Sequence, residues 1–97
     1  MKFVLLGTIS AKGAAKYKER GPKAMAKGKA LGFKIEFLYY TQGPYDFVEV
    51  LDAPDAEAVL AMTTWFAQQG YGRVIALPAH DVAAMKRANR RARSRSR

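Results

Sequence analysis

Gly43-Pro44-Tyr45-Asp46-Phe47-Val48-Glu49-Val50-Leu51, followed by Asp52-Ala53-Pro54-Asp55, is the stretch that decides the fold of this 97-residue chain. Gly43 and Pro44 indicate a turn, because both residues favour the backbone angles that reverse a chain. The segment after the turn predicts a strand, with one face formed by Phe47, Glu49 and Leu51 and the other by Asp46, Val48 and Val50. The acidic residues that follow, with Pro54 among them, predict a helix start with Asp52 as its N-cap.

Alternating apolar patterns predict three further strands, at Lys2 to Ser10, Lys34 to Thr41 and Arg73 to Leu77. Two helices are predicted between them: one enters at Gly21-Pro22 and ends at Gly32, and the other ends near Gly70. In the strand before the turn, we expect Ile35, Phe37 and Tyr39 on one face and Glu36, Leu38 and Tyr40 on the other.

The order strand, helix, strand, strand, helix, strand predicts an α+β fold of the ferredoxin-like type, βαββαβ. Such a fold has a four-stranded antiparallel sheet with both helices on one face. Each predicted strand is apolar on both sides, so the face away from the helices would remain exposed in an isolated chain. We therefore expect a second copy of the chain, or a ligand, to cover that face.

The segment from Phe37 to Val48, continued by Glu49 to Asp55, resembles the signature of the GYD-domain family. Its name-giving residues correspond here to Gly43, Tyr45 and Asp46. The resemblance covers residues 2 to about 80 and implies a dimeric α/β barrel, formed between the sheets of two copies. The family has no agreed activity, so the resemblance informs the fold more than the function. The wider superfamily implies an alternative role as a small-molecule binder or cofactor-independent enzyme.

Length and composition indicate one domain, residues 1–85, followed by a basic Arg/Ser-rich tail, residues 86–97. The chain has no cysteine, which excludes disulfides, thiolate metal sites and a thiol nucleophile. Only a short apolar run follows Met1 and Lys2, so neither a secretory signal nor a membrane span is expected. The expected location is cytoplasmic.

The net charge of +9 is concentrated in the tail, which contains seven cations and no anion. This charge density suits RNA phosphates, a ribonucleoprotein or an acidic protein surface, and the alternative is a flexible solubilising segment. We expect a non-enzymatic binding and assembly protein that forms homo-oligomers. The predicted polyanion-binding residues are Lys86, Arg87, Arg90, Arg91, Arg93, Arg95 and Arg97.

Glu49 is the best candidate for a functional acid. It is predicted to lie mid-strand on an apolar face, where an unpaired carboxylate is costly or has a raised pKa. The alternative is a residue that faces solvent or pairs with a cation across an interface. If this face lines a cavity, the predicted ligand-pocket residues are Phe37, Tyr39, Tyr45, Asp46 and Glu49.

Other candidate sites are less favoured by the sequence. Tyr45 and Asp46 suit a packing residue and a cap better than a catalytic pair, since adjacent strand residues face opposite ways. His80 is the only histidine and has no second metal ligand at a suitable spacing, so neither a metal nor a cofactor is expected. The element order matches an RNA-recognition motif, but Pro44 and Val50 depart from its octamer, so base stacking on the sheet is not expected.

Overall fold

The structure, a computed structural model that describes residues 1–94, confirms the predicted α+β fold. Its elements in chain order are β1 (Lys2–Ile9), α1 (Ala11–Ala15), α2 (Tyr17–Ala30), β2 (Lys34–Tyr40), β3 (Phe47–Asp52), α3 (Ala56–Gln68), β4 (Gly72–Pro78) and α4 (Val82–Arg93). The strands form one antiparallel sheet in the order β2-β3-β1-β4. Strands β1 and β3 are therefore central, and α2 and α3 cover one face of the sheet.

Two clusters of buried side chains join the helices to the sheet. One cluster contains Phe3, Leu5, Leu51, Ala53 and Val59, and the other contains Phe47, Phe66 and Tyr71. In the second cluster the ring centroid of Phe66 lies 6.0 Å from that of Phe47 and 5.6 Å from that of Tyr71, both in edge-to-face geometry. Edge-to-face packing is favourable for aromatic rings, so this cluster fixes the end of α3 against the start of β3.

A β-bulge in β2 decides which of its side chains face the helices. The register of β2 on β3 shifts between Ile35 and Phe37. Leu38 and Tyr40 consequently share the helix side with Ile35, while Phe37 and Tyr39 face the other way. The prediction that Ile35, Phe37 and Tyr39 share one face is wrong, because simple alternation assumes a strand without an inserted residue.

Both long helices begin at residues other than those predicted. Helix α2 begins at Tyr17 and contains Pro22, which is therefore not its first residue. A proline this close to the helix start removes a single intrahelical hydrogen bond. The N-cap of α3 is Asp55, which accepts a hydrogen bond from the N–H of Ala58 at 2.8 Å. Asp52 cannot cap α3 because it remains in the ladder of β3.

The basic region near the C-terminus forms helix α4. Asp81 caps this helix by accepting a hydrogen bond from the N–H of Ala84 at 2.8 Å. The boundary predicted between residues 85 and 86 lies inside α4, so residues 86–93 are helical. No residue of α4 is buried, and the principal extents of the molecule are 54 × 30 × 23 Å. Helix α4 thus projects from the body.

Candidate functional sites

A cavity of about 170 Å³ lies between α2 and the helix side of the sheet. It exists because α2 lines it with Gly21, Ala24 and Gly28, whose side chains are too small to fill the space. Met25 and Tyr40 are exposed where they line its edge, so the cavity opens to solvent between α2 and β2. Its apolar floor is formed by Leu5, Phe47, Met62, Phe66 and Val74.

Glu49 lines this cavity from β3. It is opposite Leu5 of β1 and Leu38 of β2, so its side chain lies on the helix side of the sheet, on the apolar face that the sequence indicated. Within residues 1–94, no hydrogen bond or ion pair reaches its carboxylate. Burial raises the pKa of Glu49 above its ordinary value, because the ionised form loses hydration and gains no partner.

Arg20 is the cationic residue among the side chains that line the cavity. One of its guanidinium nitrogens donates to the backbone carbonyl of Gly13, which joins α2 to α1. No carboxylate in residues 1–94 forms an ion pair with it. The cavity lining therefore includes one acidic and one basic residue, Glu49 and Arg20, that are not paired with each other, among mostly apolar residues.

The structure does not bring Phe37 and Tyr39 to Glu49. Their rings contact each other, with centroids 5.3 Å apart, on the sheet face away from the cavity. The predicted grouping of these two aromatic residues with Glu49 is wrong, since the bulge in β2 reverses their direction.

Asp46 and Tyr45 do not line the cavity either. One carboxylate oxygen of Asp46 accepts a hydrogen bond from the N–H of Ile9 at 2.6 Å, which ties the turn to the end of β1. The backbone carbonyl of Tyr45 accepts from the hydroxyl of Thr41 at 2.7 Å. Tyr45 and Asp46 of the family signature thus contact neighbouring chain segments around the turn.

Sequence reasoning missed the α2 side of the cavity, including Arg20. The usable signal was the spacing of Gly21, Ala24 and Gly28, which places three small residues on one helical face. A helix face without large side chains leaves room above whatever sheet it covers.

The sheet side away from α2 and α3, here called the open face, is a second candidate site. The strand register arranges its side chains in two apolar rows that cross all four strands. The first row is Leu77, Val4, Val50 and Phe37, and the second is Ile75, Leu6, Val48 and Tyr39. The outer members on β2 and β4 are exposed, so the predicted apolar character of this face is present in the structure.

Helix α4 is a third candidate site. At 100° per residue its cations occupy one arc of about 160° around the helix. Most of its apolar residues lie outside that arc, and Ala83 lies within it. Those cations are Lys86, Arg87, Arg90, Arg91 and Arg93. All are exposed, and none has an ion-pair partner within residues 1–94. Arg95 and Arg97, which were also predicted to bind polyanions, lie outside the described residues.

A metal site has no support in the described part of the chain. His80 is exposed in the loop before α4. Residues 1–94 contain no group of three or more His, Cys, Asp or Glu side chains that could hold a metal ion. Within the same residues, no helix has both the length and the apolar character needed to cross a membrane.

The antiparallel sheet with helices on one side and an open apolar face on the other defines a small ferredoxin-like α+β domain. The chain belongs to the GYD-domain family, since the sequence model of the GYD domain matches residues 3–88. This match extends from β1 into α4, further than the signature around Gly43 to Asp46. A comparison with curated proteins finds no match.

Proposed function

We propose that this protein is a non-enzymatic binding and assembly protein that self-associates through its open face. The observation that supports the proposal is the pair of apolar rows on this face. Two of their members, Ile75 and Leu77, are 48% and 45% exposed, respectively. Apolar surface of this extent favours burial against another apolar surface. A second copy offers the same rows, and a twofold axis between the sheets would make the contact self-complementary.

Sedimentation velocity of the full chain tests self-association with two matched variants. Ile75→Lys places a charge in the open face, and Leu60→Lys places the same charge at a residue of α3 that is 64% exposed. We expect the unmodified chain and Leu60→Lys to sediment as a dimer or larger species, and Ile75→Lys to sediment as a monomer with an unchanged circular dichroism spectrum. A monomeric unmodified chain, or an Ile75→Lys variant that still associates, would remove this part of the proposal.

The second part of the proposal is that α4 and the residues after it contact RNA, a ribonucleoprotein or an acidic protein surface. The support is the exposed cationic arc of α4, which has no internal ion pairs in the described residues. Release of counterions from a polyanion drives such contacts without a preformed pocket. Self-association would place at least two copies of α4 on one particle, which raises the avidity for an extended polyanion.

A salt series with a fluorescent single-stranded RNA tests the role of α4. The triple variant Arg87→Gln/Arg90→Gln/Arg91→Gln removes three α4 cations, and Lys18→Gln/Lys27→Gln/Lys29→Gln removes three exposed or partly exposed cations from α2. We expect the α4 variant to lower the slope of log affinity against log salt by about 2, with a smaller change for the α2 variant. Equal effects of the two variants, or affinity that does not depend on salt, would contradict the proposal. Binding to polyglutamate but not RNA would identify an acidic protein partner.

The cavity favours a second candidate function, which is small-molecule binding or cofactor-independent catalysis of the dimeric α/β-barrel type. The specific observation is the partnerless carboxylate of Glu49 in a mostly apolar cavity that opens to solvent. A carboxylate with a raised pKa can serve as a general acid or base. In this function Glu49 is the residue that contacts the ligand or substrate. If Glu49→Gln leaves every ligand-induced melting shift unchanged, Glu49 has no part in binding.

A further inference from the structure

We infer that the cavity between α2 and the sheet binds a small molecule with one apolar ring and a primary ammonium group, and that the ammonium pairs with Glu49. This inference rests on the second candidate function above and names its ligand class. Three features of the cavity support this ligand class: its volume, its apolar floor and its two charged residues.

The volume and the floor determine the apolar part of the ligand. An apolar protein cavity of roughly 150 Å³ is large enough to bind benzene, and the present cavity measures about 170 Å³. Two phenylalanine rings, Phe47 and Phe66, contribute to the floor together with Met62. These side chains can pack against a single ring by aromatic and sulfur–aromatic contacts. A ligand much larger than one ring would have to extend through the opening near Tyr40.

Glu49 determines the polar part of the ligand. Its carboxylate offers several acceptor positions and receives no hydrogen bond from residues 1–94. A primary ammonium supplies both a positive charge and three N–H donors, and such charge-assisted bonds are stronger than neutral ones. Partial exclusion of water strengthens the attraction further. An anionic ligand would instead bring like charge close to this carboxylate.

Arg20 makes the ligand class testable by charge. Arg20 lines the cavity, and its guanidinium donates to the carbonyl of Gly13 in α1 without pairing with Glu49. For an ammonium ligand Arg20 is mildly repulsive, so Arg20→Gln should leave the affinity unchanged or raise it. For a carboxylate ligand Arg20 would be the anchor, and the same substitution would weaken binding.

Nuclear magnetic resonance titration of the full chain with four one-ring probes tests the inference. The probes are benzylamine, benzyl alcohol, toluene and benzoate, and the signals to follow are the methyl groups of Leu5 and Met62. We expect benzylamine to bind the unmodified chain most tightly, and Glu49→Gln to weaken benzylamine about tenfold while leaving toluene unchanged. Glu57→Gln, which removes one exposed carboxylate from α3, is the matched control and should leave all four affinities unchanged.

A second variant separates occupancy of the cavity from effects of charge. Ala24→Leu adds bulk to the α2 wall and should weaken all four probes while Glu49 remains in place. Thermal unfolding checks that each variant is folded. If toluene and benzyl alcohol bind but benzylamine binds no better, the ammonium class is wrong and small-molecule binding stands. Tighter binding of benzoate, lost in Arg20→Gln, would overturn the ammonium class in favour of an anion. If no probe shifts either methyl signal, both the ligand class and the second candidate function fail.

Discussion

The two faces of the sheet carry similar apolar side chains in different surroundings. On the helix side Leu51 is 0% exposed and belongs to the core, whereas on the open face Leu77 is 45% exposed. Both are leucines in strands of the same sheet, and the helices cover only one of them. Coverage by the helices thus separates residues that stabilise the monomer from residues available for association.

The largest expected effect comes from truncating the same residue type on the two faces. Leu51→Ala should lower the free energy of unfolding by about 3 kcal/mol, because it leaves a cavity in the core. Leu77→Ala should cost less than about 1 kcal/mol at protein concentrations low enough for monomers to predominate. Urea unfolding at several protein concentrations measures both values. Equal costs for the two variants at low concentration would contradict the division between the faces.

Gly7 tests how closely the helix side is packed. A Cβ at this position would overlap the ring of Phe47, so we expect Gly7→Ala to lower the free energy of unfolding by about 2 kcal/mol. Gly21→Ala is the control, because the Cβ it would add meets no atom within 4 Å other than its chain neighbours and the adjacent backbone of its own helix. Its effect should stay below about 1 kcal/mol, since the gain in helix propensity and the restriction before Pro22 oppose each other. If Gly7→Ala leaves the free energy of unfolding unchanged, the Phe47 ring can move aside without loss of stability.

Glu49, on the helix side of the sheet, should make the free energy of unfolding depend on pH in a characteristic way. Its raised pKa means that the folded state holds the proton more tightly than the unfolded state, so stability falls as the pH rises through the folded pKa. The stability advantage of Glu49→Gln should therefore be smallest near pH 4 and grow towards neutral pH, where ionised Glu49 lacks a partner. Thermal unfolding from pH 4 to 8 measures this difference, with Glu57→Gln as control. A difference that shrinks with rising pH would show that the carboxylate has found a cation.

The smallest expected effect on stability comes from Glu19 at the surface of α2. Its pKa is shifted in the opposite direction to that of Glu49. A hydrogen bond from Lys23 and a further one from Lys16 lower the pKa of Glu19 to about 2. The stabilisation by ionised Glu19 is present above its unfolded pKa and is lost as the pH falls towards about 2. Glu19→Gln should therefore be slightly less stable than the unmodified chain at pH 6 and equal to it at the acid limit. Salt should reduce the deficit, because the pairs are exposed.

Much of the central hairpin could be read from local patterns. Strict alternation after the turn placed Glu49 between Phe47 and Leu51 on one face, and the structure agrees because β3 has no bulge within this stretch on β1. The same reasoning failed in β2, where the inserted residue near Phe37 depends on pairing with β3. A bulge is a property of two strands together, so the pattern of one strand does not reveal it.

The C-terminal region shows a related limit. Composition divided the chain into a domain and a basic tail between residues 85 and 86, yet Arg90 and Arg91 lie in α4, which begins at Val82. Helix propensity explains this outcome, since arginine and alanine are both good helix formers and Asp81 supplies the cap. The sequence predicted only part of the candidate cavity. It indicated Glu49, but it did not indicate that Arg20 lines the same space.

Side-chain alternation and turn residues, which are local properties of the chain, were enough to establish the order of the four strands and the two long helices, the central hairpin and the apolar character of both sheet faces. Tertiary structure alone decided which face the helices cover, where the bulge redirects Phe37 and Tyr39, and that a cavity remains above Glu49. The physical reason is that coverage and cavities depend on contacts between residues far apart in the sequence. Side-chain alternation with a period of two shows that a strand has two faces. Only packing decides which residues each face contacts.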